Sequence, residues 1–192
     1  RQLSDEETKV LFTKLGEYIG PNIKYLIDRQ DEPHVFRLIK DRVYYMSESL
    51  MKLSTNIGRD ELLTYYCLHY FLAKLTFNSV GTCFGKFTKS GKFRLNITCL
   101  DYLAKYALHK IWVKPTGEQT FLYGNHIVKA HIAKMTENIP QYGGVVIFSM
   151  NDTCLGFGVC ARQTFDLKKL DPTDVVVLNQ ADIGEYLRIE DE

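Results

Sequence analysis

The sequence has almost no excess of either charge. Its 24 lysines and arginines stand against 23 acidic residues, for a net charge of +1. Bulk electrostatics therefore cannot drive binding to a polyanion, and any nucleic-acid contact must come from a local patch. No apolar run approaches the roughly 20 residues that a membrane-spanning helix requires, and no secretory signal is visible at the start. An initiator methionine is expected ahead of Arg1, because Met-Arg is a poor substrate for methionine removal. The five cysteines, Cys67, Cys83, Cys99, Cys154 and Cys160, are odd in number and irregularly spaced, without a C-x-x-C. That argues against a disulfide framework or a zinc site and for reduced, packed thiols in the cytosol or nucleus.

Catalytic motifs are equally scarce. There is no G-x-x-x-x-G-K, no G-x-S-x-G and no H-E-x-x-H. Gly156-Phe157-Gly158 is a G-x-G alone, with Ala161 where a third glycine would stand and a strand-like sequence around it. His126 and His131 are five apart, which puts them on different faces of a helix, whereas a pair of metal ligands would be four apart. Cys67 and His69 have no third ligand nearby, and Asp152 and Asp182 read as solvated or capping carboxylates at a turn and a strand end. No catalytic residue, metal ligand or cofactor is expected.

What is present is an ordinary globular composition, 45% hydrophobic and 24% charged, over 192 residues; this suffices for one large or two small domains. The charge is polarised along the chain. Between Lys86 and Lys114 there are seven basic residues and one acid, Asp101, whereas residues 181–192 hold five acids against Arg188. One face can meet phosphates and another protein.

Ser4 and Glu7 form an S-x-x-E capping box, followed by Val10, Leu11, Leu15, Tyr18 and Ile19 on one helical face, with Gly20-Pro21 ending the helix. Alternation over residues 35–45 predicts a β-hairpin, and Ser47 caps a helix. A second hairpin, Phe84–Ile97, has a basic tip with Gly91 at a turn position, and a helix follows over 100–107. Thereafter short strands are expected at 110–114, 144–148, 155–161 and 175–178. A turn is expected at Pro115-Thr116-Gly117 and a short helix near 128–133. Such a series suggests a small β-barrel, with the boundary near 108–110. Tyr123, Gly124, Asn125, His126, Lys129, His131 and Lys134 cluster around the glycine turn and short helix. Cations there can reach phosphates, and flat rings can stack on unpaired bases. The tip residues Lys86, Lys89, Lys92 and Arg94 form a second basic candidate.

GKFTKSGKFRLNIT (85–98), FLYGNHIVKAHIAKMT (121–136), LGFGVCARQT (155–164) and NQADIGEYLR (179–188) resemble the Nip-seven family of large-subunit ribosome biogenesis factors. LSDEETKVLFTKLGEYIG (3–20) and FRLIKDRVYY (36–45) do so as well. The resemblance covers nearly the whole chain. It implies an α+β protein: an N-terminal antiparallel-sheet/helix (pre-PUA) domain, 1–108, followed by a C-terminal PUA-type mixed β-barrel, 109–192. It implies a non-enzymatic RNA-binding assembly factor acting on precursor rRNA of the large subunit, beside other assembly factors in pre-ribosomal particles. A monomer without membrane contact is expected, in the nucleolus and nucleus, with the cytoplasm as a further location. Carried over, the RNA groove comprises Gly124, Asn125, His126, Lys129, His131 and Lys134, with Arg162 a further candidate; Gly156 and Gly158 are structural. A rival reading is a protein-interaction adaptor whose RNA contact is incidental.

One departure stands out. About 15 extra residues, 64–78 (TYYCLHYFLAKLTFN), interrupt the family pattern, with five aromatics, one lysine and no acid. They read either as an apolar partner-binding insertion or as translated intron. Asn96 stands where the family often has histidine.

Overall fold

The computed structural model describes residues 1–49, 51 and 81–190; the segment 64–78 and most of the helix expected after Ser47 lie outside them. The chain folds as two compact units, residues 1–10 with 24–95, and residues 11–23 with 96–192.

The first unit begins with helix α1 (Asp5–Ile19), whose opening turn it holds. The capping box forms as expected: Glu7 N–H donates to Ser4 Oγ at 3.2 Å, and Ser4 N–H donates to the Glu7 carboxylate at 2.8 Å. Arg1 adds an ion pair to the same carboxylate, and together these hold the Glu7 carboxyl down at about 2. After the short α2 (Lys24–Ile27) come β1 (His34–Ile39), β2 (Arg42–Ser47), β3 (Thr82–Phe87) and β4 (Phe93–Leu95). They form one antiparallel sheet in sequence order. Phe36, Tyr45 and Phe84 pack ring on ring, with centroids 4.7 to 5.3 Å apart. The hairpin tip between β3 and β4 is closed by Thr88 N–H to the Lys92 carbonyl at 2.8 Å, with Gly91 at φ 74.

The second unit contains helix α3 (Leu100–Tyr106) and a six-stranded sheet. Its strands are β5 (Lys110–Val113), β6 (Ile127–Val128), β7 (Ile132–Met135), β8 (Gly144–Phe148), β9 (Cys154–Cys160) and β10 (Val175–Asp182). The order is β6-β10-β9-β8-β5-β7. Only β5 and β8 run parallel, so the sheet is mixed. Its outermost strands, β6 and β7, are joined by the three-residue 3₁₀ turn Lys129–His131, so the sheet must curl until its edges meet. Inside lie Ile111, Val113, Phe121, Ile127, Val145, Ile147, Leu155, Val176 and Val177, each nearly or fully buried. On the other face Tyr18 meets Phe157 edge-on at 5.5 Å, and α3 packs against β9.

Three local expectations are corrected. Pro115-Thr116-Gly117 is no turn: Pro115 opens helix α4 (Pro115–Leu122), a position where its missing N–H costs nothing. Gly117 sits inside that helix because a Cβ there would come within 2.6 Å of the His131 Cβ. The short helix near 128–133 shrinks to the three-residue 3₁₀ helix Lys129–His131, with β6 and β7 taking the residues on either side. The N–H groups of Lys129 and Ala130 go to the Asp174 and Pro172 carbonyls, so tertiary pairing outcompetes local helix. Finally, β10 runs to Asp182, four residues past its expected end.

Candidate nucleic-acid interface

The loop after α4 is built by the way that helix ends. Gly124 N–H donates to the Phe121 carbonyl at 2.9 Å and Asn125 N–H to the Thr120 carbonyl at 3.3 Å, with Gly124 at φ 86. This is a Schellman termination, and it requires the left-handed residue that glycine supplies. The reversal leaves Tyr123 71% exposed and Asn125 and His126 exposed beside it. The His126 Nδ1 accepts the Asn179 N–H at 3.2 Å, which places the proton of the neutral ring on Nε2.

A buried network fixes this loop from below. Asp182 is 1% exposed. Both of its carboxylate oxygens accept from Arg188 Nη2 at 3.0 Å, and one also accepts from Asn179 Nδ2 at 3.0 Å. Asn179 Nδ2 also faces the Phe121 carbonyl at 3.3 Å, and the Arg188 guanidinium binds the Leu122 carbonyl. Helix α5 (Glu185–Glu190) is thereby tied to the end of α4. Burial and the neighbouring Asp182 push the Glu185 carboxyl up from its ordinary value. The expectation that Asp182 is a solvated or capping carboxylate is therefore corrected. The positioning roles of Asn179, Asp182 and Arg188 were not anticipated, although all three lie in the NQADIGEYLR motif.

The other expected residues of this unit divide among four places. Lys129 Nζ donates to the Leu170 carbonyl at 2.5 Å and is half-buried. His131 lies against Gly117 of α4, with its Nδ1 buried and without a partner. Lys134 is exposed, with its ammonium 4.7 Å from the Trp112 ring centroid; Trp112 stacks on Phe148, and Lys110 caps that ring at 5.4 Å. Arg162 is exposed beyond β9, its carbonyl accepting the Cys160 thiol. The set is thus a surface of several patches rather than one pocket.

In the first unit Lys86, Lys89, Lys92 and Arg94 are all exposed. Strand register adds a residue that sequence reasoning missed. Lys86 of β3 stands directly opposite Arg94 of β4 on one side and Arg42 of β2 on the other. Three cations thus cross three neighbouring strands at the roughly 5 Å interstrand spacing. Among the described residues none of the three has a carboxylate partner. Like charges directly opposite one another destabilise a sheet, so the row suits a bridging polyanion. Only the β2–β3 register, not spacing along the chain, brings Arg42 to it.

Among the described residues no three histidine, cysteine or acidic side chains gather as a metal site, and no helix is long and apolar enough to cross a membrane. Burial raises the Cys83 and Cys160 thiols and pushes Cys154 up to about 12, so none of these is a thiolate nucleophile near neutral pH.

The mixed barrel with its glycine-terminated helix has the architecture of a PUA domain. Residues 109–191 match the UPF0113 PUA domain model, and residues 1–65 match the NIP7/UPF0113 pre-PUA domain model. Among solved structures, a PUA domain from Aeropyrum pernix shares the fold with a TM-score of 0.58 at 13% identity, over 97% of this chain and 87% of that one. A conserved PUA domain protein from Thermoplasma acidophilum does so with a TM-score of 0.53 at 14% identity, over 97% and 96%. The chain belongs to the NIP7 family of 60S ribosome subunit biogenesis proteins. It is 57% identical over 191 residues to the Schizosaccharomyces pombe member, spanning 100% of this chain and 98% of that one. It is 57% identical to the Danio rerio homologue over the same shares. It is 53% identical to the Saccharomyces cerevisiae protein, over 100% and 97%.

Proposed function

We propose that this chain is a non-enzymatic, RNA-binding assembly factor of the large ribosomal subunit. It acts as a monomer on precursor rRNA in the nucleolus and nucleus, among other assembly factors in pre-ribosomal particles. The names of its relatives support the process, and the PUA fold supports RNA as the ligand. In this reading residues 1–108 are the pre-PUA domain and residues 109–192 the PUA domain. Tyr123, Gly124, Asn125, His126, Lys129, His131, Lys134 and Arg162 serve the second domain's RNA contact; Lys86, Lys89, Lys92 and Arg94 serve the first domain's, joined by Arg42. The observation that carries the reading is the cross-strand row Arg42, Lys86 and Arg94, unpaired among the described residues, which a phosphate backbone would neutralise.

Crosslinking in cells, with recovery under denaturing conditions and sequencing of the attached RNA, tests it. Reads in large-subunit precursor rRNA are expected, with crosslinked peptides from 85–98 and 121–136. A second reading, a protein adaptor, draws on Tyr186 and Leu187, which are 48% and 72% exposed on α5. No RNA crosslink, with pre-ribosome association that survives ribonuclease, would establish that reading instead.

A further inference from the structure

Between β9 and β10 the chain forms a 3₁₀ helix, Thr164–Lys169, whose exposure repeats every three residues. Thr164, Leu167 and Leu170 are half-buried, while Phe165, Asp166, Lys168 and Lys169 are exposed. A 3₁₀ helix has three residues per turn, so side chains at i and i+3 lie one above the other. Leu167 and Leu170 pack on the barrel core and fix the inward row. Phe165 and Lys168 therefore share one outward row, about 6 Å apart along the axis, close enough for one nucleotide to meet both. Phe165 is 76% exposed, the highest exposure of any large hydrophobic side chain among the described residues.

A second ring is carried, at a conformational cost, on a turn bonded to the segment that leads into this helix. Gly143 N–H donates to the Pro140 carbonyl at 3.1 Å, closing a turn with Tyr142 at its third position and φ 61. Glycine or asparagine takes that conformation readily, and a bulky tyrosine does not. Yet Tyr142 is held there and is 65% exposed. The turn is bonded to the helix-bearing segment: Tyr142 N–H donates to the Cys160 carbonyl at 2.7 Å, Gln141 Nε2 to the Ala161 carbonyl at 3.1 Å, and Ile139 N–H to Thr164 Oγ1 at 3.0 Å. Arg162 lies between these anchor points and is exposed.

Two exposed flat rings and three cations, against the two carboxylates of Glu137 and Asp166, are thus carried on one bonded framework. Apart from Pro140, no exposed aliphatic side chain joins them within 136–143 or 160–170. That composition favours an RNA strand over a protein, because every base offers a face to a ring and every phosphate a charge to a cation. We propose that Tyr142 and Phe165, with Arg162, Lys168 and Lys169, form a stacking subsite for unpaired bases of single-stranded RNA. The proposal rests on the RNA-binding reading above and extends it to a surface that sequence reasoning, apart from Arg162, did not reach.

The test uses the full chain and a fluorescein-labelled, mixed-sequence single-stranded RNA 12-mer, read by anisotropy. Phe165→Ala touches only an exposed side chain, and Tyr142→Asn relieves the backbone, so both variants fold. Each is expected to weaken binding about tenfold, the loss of one stacked base. Both are expected to leave binding of the same 12-mer annealed to its complement nearly unchanged. Lys168→Gln is expected to lower the slope of log affinity against log salt by about 0.7. If the wild-type chain binds the 12-mer and the ring variants bind it equally well, the subsite is overturned while the RNA reading stands. Equal losses on single strand and duplex overturn stacking. If the ring variants keep RNA affinity but lose ribonuclease-resistant pre-ribosome association, the patch is a protein interface. If the wild-type chain binds no RNA, the general reading and the subsite fall together.

Discussion

Asp182 collects on one buried carboxylate the guanidinium of Arg188 and the amide of Asn179, and through them the Phe121 and Leu122 carbonyls that lead into the Tyr123–His126 loop. Removing one partner of a buried pair costs more than the pair contributes, because the other is left desolvated. Arg188 is 40% exposed and can recover water, so Asp182→Ala should cost about 2 kcal/mol rather than the full loss of a buried pair. Calorimetry should show a fall in Tm of roughly 4–8 °C for a chain of this size, with Asp182→Asn falling less because it still accepts hydrogen bonds. The glycines of β9 make a complementary point. A Cβ on Gly156 would come within 2.3 Å of the Ala181 carbonyl oxygen, and one on Gly158 within 2.5 Å of the Leu178 carbonyl oxygen. Gly156→Ala is therefore expected to destabilise by about 2 kcal/mol through overpacking; an unchanged denaturation midpoint would mean β10 can move aside.

At the scale of elements, the capping box of α1 links a four-residue motif to a pH dependence. The Glu7 carboxyl is held at about 2, down from 4.5. A depressed carboxyl contributes stability that is present above its unfolded value and is lost as pH falls through the folded one. Wild-type stability should thus fall between about pH 4.5 and pH 2 by more than that of Glu7→Gln, a difference read from urea titrations across that range. This element was legible because both partners are local. So were the two hairpins, the strand pair β8 and β9, and the small β-barrel, each marked by alternation or apolar runs between turn residues; that the barrel is of the mixed PUA type was implied by the family resemblance. The failures share a cause. Pro115-Thr116-Gly117 has turn composition, yet Gly117 is there to admit His131, which the chain brings in from 14 residues away. The 128–133 segment has helix-compatible residues, but its N–H groups find carbonyls at 172 and 174. Arg42 and Tyr142 escaped notice for the same reason. One becomes significant only through strand register and the other only through a positive φ, and neither is encoded in local spacing.

For the whole molecule, near-neutral net charge conceals a local imbalance. A row of cations without carboxylate partners among the described residues lowers stability in the free protein and is neutralised when a polyanion crosses it, so stability and affinity should move in opposite directions on mutation. Replacing Arg42, Lys86 and Arg94 together with glutamine removes like-charge pairs that each oppose the sheet by about a few tenths of a kcal/mol. The variant should melt slightly higher than the wild type at low salt. The same change should weaken single-stranded RNA binding and reduce the slope of log affinity against log salt by about 2, at about 0.7 for each phosphate no longer neutralised. Measuring both quantities on one preparation separates function from folding. A variant that melts lower would show that the cations are held by partners within the chain. A variant that melts higher with an unchanged slope would show that the row is surplus charge, leaving RNA contact to the PUA domain alone. Only the paired outcome, a firmer sheet with a flatter salt dependence, identifies a surface kept electrostatically open for a phosphate backbone.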